Sequence, residues 1–155
     1  MAVEGNRIGI LSAQSFRDIR FGTCDRLLDM VPGLVLEKNR RRAQMEKMMT
    51  RGHLLVARLG RRSVGLLGLY ANDRETGTAW VVYAAVDPRF RRRGVARALF
   101  ARAFAIVRQA HLSCTSIYVL ASNAPARALY ADLGFREVWR GTCLGFKSIR
   151  MARLT

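Results

Sequence analysis

The stretch that most constrains the fold is residues 78–120. Residues 78–86 are the longest β-rich run in the chain, and Asp87-Pro88 ends it. Val95, Leu99, Ala103, Ile106 and Ala110 then recur at helical spacing, and residues 115–120 return to a β-rich pattern. Strand, helix and strand in that order require a parallel pair joined by a right-handed crossover. The first of these strands is apolar throughout and reads as a central strand buried on both faces.

The turn inside this unit carries chemistry of its own. Arg91, Arg92 and Arg93 precede Gly94, and Val95, Ala96 and Arg97 open the helix. A helix start presents unpaired backbone N–H groups and the positive end of the helix dipole, while a glycine lets a ligand approach the backbone. Residues 91–97 are therefore a candidate anion site, with a phosphate or pyrophosphate as the natural guest. The turn lacks the Gly-Lys-Ser/Thr ending of a P-loop and the three-glycine spacing of a dinucleotide-binding turn.

Around this unit the chain reads as short, mostly antiparallel elements. Residues 1–15 are expected to be a loosely held extension to a single domain over 16–155, with a first strand at 16–21. Thr23 is expected to cap a helix over 24–31 that Pro32-Gly33 stops. A second helix is expected over 36–51, with Glu37–Arg41 and Arg42–Glu46 pairs and an apolar edge of Met45, Met48 and Met49. Residues 53–59 and 63–70 form a hairpin, 71–77 a polar loop. Asn123 caps a helix with Pro125 in its first turn and Gly134 at its end; residues 135–140 and 146–154 then form a hairpin around Gly141 and Gly145.

Cys24, Cys114 and Cys143 are odd in number and widely spaced, so neither a disulfide framework nor a metal site is indicated. No stretch approaches the roughly 20 apolar residues of a membrane span, and no secretory signal pattern opens the chain, so a cytoplasmic protein without membrane contact is expected. The net charge of +16 comes almost wholly from arginine and is spread along the chain, a field that draws anionic partners.

Two motifs together resemble the GNAT-type N-acetyltransferases. Val86-Asp-Pro-x-x-Arg91-x-x-Gly94-x-Ala96-x-x-Leu99 is similar to the family's pyrophosphate loop, and Asn123-x-Pro-Ala-x-x-Leu129-Tyr130-x-x-Leu133-Gly-Phe135 to its downstream motif. The resemblance covers about residues 16–154. It implies an α/β (α+β) single domain, with a mixed, mostly antiparallel sheet of six to seven strands, about four helices and a splayed parallel pair at the centre. It also implies acetyl-coenzyme A as co-substrate, no metal, and direct transfer of an acetyl group to a primary amine on a small molecule or peptide. The pyrophosphate is then expected on Arg91, Arg92, Arg93, Gly94, Val95, Ala96 and Arg97, the pantetheine arm along Ala84, Ala85 and Val86, and a hydrogen bond from Asn123. Tyr130 matches the family's tyrosine that protonates the departing thiolate, a role that suits a phenol of pKa about 10 beside a thiol of about 8.5.

The strand before the turn holds no carboxylate, although many relatives place a glutamate there to take the acceptor's proton. Asp73 and Glu75 in the preceding loop are the nearest candidates, with Tyr83 as a water anchor. Like-charge repulsion disfavours lysine-rich acceptors. The charge and the missing carboxylate also suit a different reading, a nucleic-acid- or ribosome-binding module with little catalysis, although the sequence displays no aromatic platform interleaved with the arginines. The chain is expected to be a monomer or homodimer.

Overall fold

The computed structural model describes residues 7–31 and 38–155. Their elements run β1 (Ile8–Ala13), α1 (Phe21–Asp29), α2 (Lys38–Arg51), β2 (His53–Leu59), β3 (Arg62–Asp73), β4 (Thr78–Val86), α3 (Val95–Gln109), β5 (Cys114–Leu120), α4 (Ala124–Asp132), β6 (Arg136–Cys143) and β7 (Phe146–Leu154). The strands form one sheet in the order β1-β2-β3-β4-β5-β7-β6. Every neighbouring pair is antiparallel except β4 and β5, the parallel pair that the crossover requires.

Two cores sandwich this sheet. On one face α3 packs Leu99, Phe100, Ala103 and Val107 against Leu55, Leu67, Val81 and Ile117. On the other, Leu27 and Leu28 of α1 and Met45 and Met48 of α2 cover Leu54, Val56 and Leu66. The methionines are thus core, suited to an irregular gap by their unbranched, polarisable side chains. Among the described residues, none of β5, β6 or β7 joins this second core, so half of that face lacks a helical cover.

β4 is not buried on both faces as expected: alternate residues are buried and the rest half-buried, and a bulge changes which core the buried ones enter. Leu69 pairs with Val81 and Gly68 with Tyr83, so Val82 is an extra residue, a β-bulge. Ala79 and Val81 point into the α3 core, whereas Tyr83 and Ala85 beyond the bulge point into the α1/α2 core.

The N-terminal reading needs correction. Residues 8–13 are not part of a loose extension but an edge strand paired with β2 from Ile8↔Leu59 to Ala13↔Leu54. Ile8 and Ile10 pack on one core, Leu11 and Ala13 on the other, and such a two-sided apolar pattern lacks the alternation that marks a half-buried strand. Residues 16–21 are not a strand: the Asp18 carboxylate accepts from the Gln14 and Ser15 N–H groups at 2.8 and 3.0 Å and closes a turn. Helix α1 consequently starts at Phe21, before the expected Thr23 cap, with Arg20 at the cap position.

In α2, Arg42 lies over the Phe16 ring at 4.4 Å rather than pairing with Glu46, and buried Arg41 bonds Asp25 and Asp29 across the α1–α2 interface. The Pro32-Gly33 stop, the first residues expected of the second helix and Glu37 lie outside the described residues. β3 extends to Asp73, through part of the expected loop, and Gly141 sits within β6 rather than at the hairpin turn.

The edge strand is testable. Ala13 is 3% exposed against the α1/α2 core, so Ala13→Asp buries an unpaired charge and costs at least about 3 kcal/mol. Thermal unfolding should fall by at least about 6 °C at roughly 2 °C per kcal/mol for a chain of this size. An unchanged midpoint would mean the segment is loose after all.

Candidate active site

The bulge at Val82 sets the site. β4 and β5 pair only from Thr78↔Cys114 to Val81↔Ile117, and beyond that point they diverge. A cavity of about 760 Å³ fills the fork, walled by residues 82–86 of β4, 117–120 of β5, the first turn of α3 and one face of α4. Ala84, Ala85 and Val86 pair with Leu67, Leu66 and Gly65 of β3 on one side and with no strand on the other. Their free edge offers hydrogen-bonding groups to an extended guest.

At the end of β4 the chain is pinned before it turns. Asp87 accepts from the Arg89 N–H at 3.0 Å and from its guanidinium at 2.9 and 3.2 Å, capping a single 3-10 turn at Pro88–Phe90. These bonds to Arg89 hold the Asp87 carboxyl below the ordinary carboxylate range. Arg92 and Gly94 then take left-handed backbone angles, φ 59° and 79°. Two left-handed residues ahead of α3 curl the loop around the helix's unpaired first-turn N–H groups. Gly65 lets this helix start approach β3: a Cβ there would lie 2.8 Å from Val95 Cγ1.

The structure brings together most of the residues expected here. Arg91, Arg92, Gly94, Val95, Ala96, Arg97, Asn123 and Tyr130 all line the cavity with Ala84, Ala85 and Val86. Arg93 does not; its guanidinium lies 5.3 Å from the Phe90 ring centroid. Arg97 faces Asp132 at 3.6 Å across the mouth, an exposed pair of little energetic weight. Asn123 caps α4, its Oδ1 accepting from the Ala126 N–H at 3.3 Å, which leaves the amide N–H₂ as its donor.

Tyr130, on the α4 wall of the cavity, is the site's buried phenol. Its ring meets Phe100 at 5.6 Å and Phe135 at 5.8 Å, and it is 6% exposed. Burial pushes its hydroxyl pKa up to about 12. The group therefore keeps its proton where a free thiol, at about 8.5, has lost its own.

Proton acceptors are scarce. Asp73 and Glu75 do not reach the cavity: they lie beside Thr78, at the opposite end of β4, and Asp73 accepts from the Thr76 hydroxyl at 2.6 Å. Asp132 is the cavity's one carboxylate among the described residues. Tyr83, 2% exposed, has a buried hydroxyl without a hydrogen-bond partner among the described residues, and burial raises its pKa. Met30 and Val31, from the end of α1, close the same side and were not singled out from the sequence. Only their contact across the fold marks them.

A sheet forked at a parallel pair, with an arginine-rich left-handed turn at a helix start, defines an acetyltransferase fold. The sequence profile of the acetyltransferase (GNAT) family matches residues 24–135, and the chain belongs to that family. No curated protein sequence matches it. The fold is similar to the ribosomal-protein-S18-alanine N-acetyltransferase of Escherichia coli (TM-score 0.76, 20% identity, covering 96% of this chain and 94% of that one). It is also similar to Ard1 of Thermoplasma volcanium (0.79, 20%, 95% and 97%) and to a GNAT acetyltransferase of Elizabethkingia anophelis with acetyl-CoA bound (0.71, 17%, 96% and 98%).

The buried acids give a pH dependence. Cys24 is raised by burial from 9.0 to about 11, and Tyr130 from 10.0 to about 12. Above pH 9 the unfolded chain gives up protons that the native one still holds, so stability falls as pH rises, by up to about 1.4 kcal/mol per pH unit for each such group. Urea midpoints measured from about pH 8 to 11 should fall from about pH 9 onward, and Cys24→Ala should delay the onset by about one unit. A flat profile would contradict the burial of these groups.

Proposed function

We propose that the protein moves an acetyl group from acetyl-coenzyme A to a primary amine, both bound together in the fork. The observation that carries this reading is the cavity that joins a free strand edge, an anion-binding turn and a buried protonated phenol.

The chain's groups fit the co-substrate part by part. The turn at 91–97 offers backbone N–H groups and guanidinium groups to a pyrophosphate. The edge of residues 84–86 pairs with an amide-bearing arm, and Asn123 donates from the facing helix. When bound, acetyl-coenzyme A supplies an activated thioester carbonyl. Tyr130 holds its proton on Oη and delivers it to the departing sulfur, and the proton that the attacking amine loses restores the phenol by way of solvent in the cavity. None of the three cysteines lines the cavity, consistent with direct transfer and no covalent enzyme intermediate.

The acceptor end favours a weakly basic amine. Only the neutral amine attacks, and among the described residues the Met30, Val31, Val82 and Tyr83 side of the cavity contains no carboxylate to deprotonate a strong base. An α-amine, pKa about 7.8, is roughly one part in ten neutral at pH 7; a lysine amine, at about 10.4, is neutral only about one part in 2,500. The Tyr83 hydroxyl, expected from the sequence to anchor a water, is closed off within the α1/α2 core near Tyr70 and Cys24 and does not serve that role, so the amine's proton leaves through solvent in the open part of the cavity. The name of the Escherichia coli neighbour specifies the alanine of a ribosomal protein, which supports a peptide N-terminus as acceptor.

Thiol release with acceptor present tests the site. Tyr130→Phe should lower kcat by about 10²-fold or more with little change in half-saturating acetyl-coenzyme A. Gly94→Glu, which strains a left-handed position and puts a carboxylate in the turn, should raise that concentration at least about tenfold. Unchanged turnover in both variants would remove the assignment. A peptide with a free α-amine should react at least about tenfold faster at pH 7 than its N-terminally blocked, lysine-bearing counterpart; the reverse order would reject the α-amine reading.

A further inference from the structure

The part of the sheet face that lacks a helical cover among the described residues carries an aromatic cluster, most of which lies outside the acyl-transfer cavity. Trp80 of β4, Tyr118 of β5 and Trp139 of β6 gather there around Arg150 of β7. The register sets Tyr118, Arg150 and Trp139 side by side across three strands. Trp80 and Tyr118 stack at 5.9 Å with their planes 9° apart, and Trp139 meets Tyr118 edge-on at 6.1 Å. The Arg150 guanidinium lies 5.8 Å from the Trp80 ring centroid, and its buried Nε has no hydrogen-bond partner among the described residues.

This arrangement is held open rather than buried. Tyr118 and Trp139 remain 47% and 43% exposed, large values for rings in a cluster. The skipped Val138 is a bulge that brings Trp139 opposite Arg150. Gly141 makes room for its ring: a Cβ there would lie 2.4 Å from Trp139 Cζ2. Tyr118 also lines the acyl-transfer cavity, so platform and cavity share a wall.

We infer that this face binds single-stranded nucleic acid, with bases stacked on Trp139 and Tyr118 and the phosphate backbone drawn by the arginine-rich surface. Exposed aromatic rings accept any base by stacking, and Arg150 lies beside them against Trp80. The net charge of +16 complements a polyanion and opposes pairing of two copies through this face. Tyr118 and Trp139 are more exposed than Arg150, so the cluster presents rings more than guanidinium to a partner, which suits bases better than carboxylates. Arg136, opposite Ala152 on the edge strand, is exposed on the same face as Arg150, whereas Arg140 lies opposite Ile149 on the other face, paired with Glu137.

Trp80 and Trp139 are the chain's two tryptophans, so intrinsic fluorescence reports on this face directly. The test titrates the full chain with oligouridylate and with heparin, a polyanion without bases, in the absence of acetyl-coenzyme A. Oligouridylate should quench the fluorescence, and Trp139→Ala should weaken it at least about tenfold while heparin affinity changes less than about twofold. Trp139→Phe should restore most of the loss. Equal oligouridylate affinity in wild type and Trp139→Ala, or a parallel loss of heparin, would overturn the inference. So would a concentration-dependent dimer in sedimentation that Trp139→Ala abolishes without affecting oligouridylate. A thermal shift with acetyl-coenzyme A, measured on both proteins, reports the acyl-transfer site separately and confirms that the variant is folded.

Discussion

One extra residue in a strand governs what the rest of the molecule does. Val82 is unpaired in the β3–β4 ladder, and a bulge bends its strand and increases the local twist. From that point β4 no longer runs beside β5, although the crossover through α3 requires them to lie parallel and adjacent at their starts. The same residue also switches which side chains face each core. Val81 belongs to the α3 side and Tyr83 to the α1/α2 side, so the strand stays buried while its edge is released. A regular strand would pair with β5 to its end and leave no cavity.

Once the edge is free, the surrounding elements place chemistry at its two ends. At the far end of β4, Asp87 ties down Arg89 and fixes where the chain turns, and Gly94 takes the left-handed conformation that delivers α3's first turn to the fork. Gly65 completes this by letting Val95 and Leu99 sit against the backbone of β3. On the α4 wall of the cavity, Tyr130 projects into a nest of Phe100 and Phe135, two rings fixed by other elements. Positive charge therefore collects at the solvent end and a neutral, proton-bearing group at the dry end. Attraction for an anion is strongest where water still reaches, and proton retention is strongest where it does not.

Most of this was legible in the sequence where the signal is local. The arginine turn, Gly94, the Asn123 cap and the Tyr130 helix each announce themselves within about one dozen residues, through helix-start chemistry and spacing. The strand at residues 8–13 was not legible, because its side chains are apolar towards both faces and its turn is closed by Asp18 rather than by glycine or proline. Asp73 and Glu75 were misjudged for a topological reason: they are near β4 in sequence but adjoin its first residue, while the fork opens at its last. The aromatic platform was invisible for the same reason in stronger form. Trp80, Tyr118, Trp139 and Arg150 come from four strands, and only the order β4-β5-β7-β6 makes them neighbours.

The missing carboxylate also has a physical logic within the proposed reaction. The apolar walls that keep the Tyr130 proton in place would raise the pKa of an acid placed among them, since burial disfavours the charged form. A glutamate on the free edge would be drawn towards ionisation by the arginines of the turn, and the ion pair so formed would compete with the pyrophosphate for those same guanidinium groups. In the proposed reaction, a chain with this much arginine around its anion site is better served by a weakly basic acceptor than by a base that must stay charged beside the co-substrate. On the proposed reading, selectivity rests on the acceptor's own acidity and on the surface that presents it, and Tyr118 joins the aromatic cluster to the cavity wall.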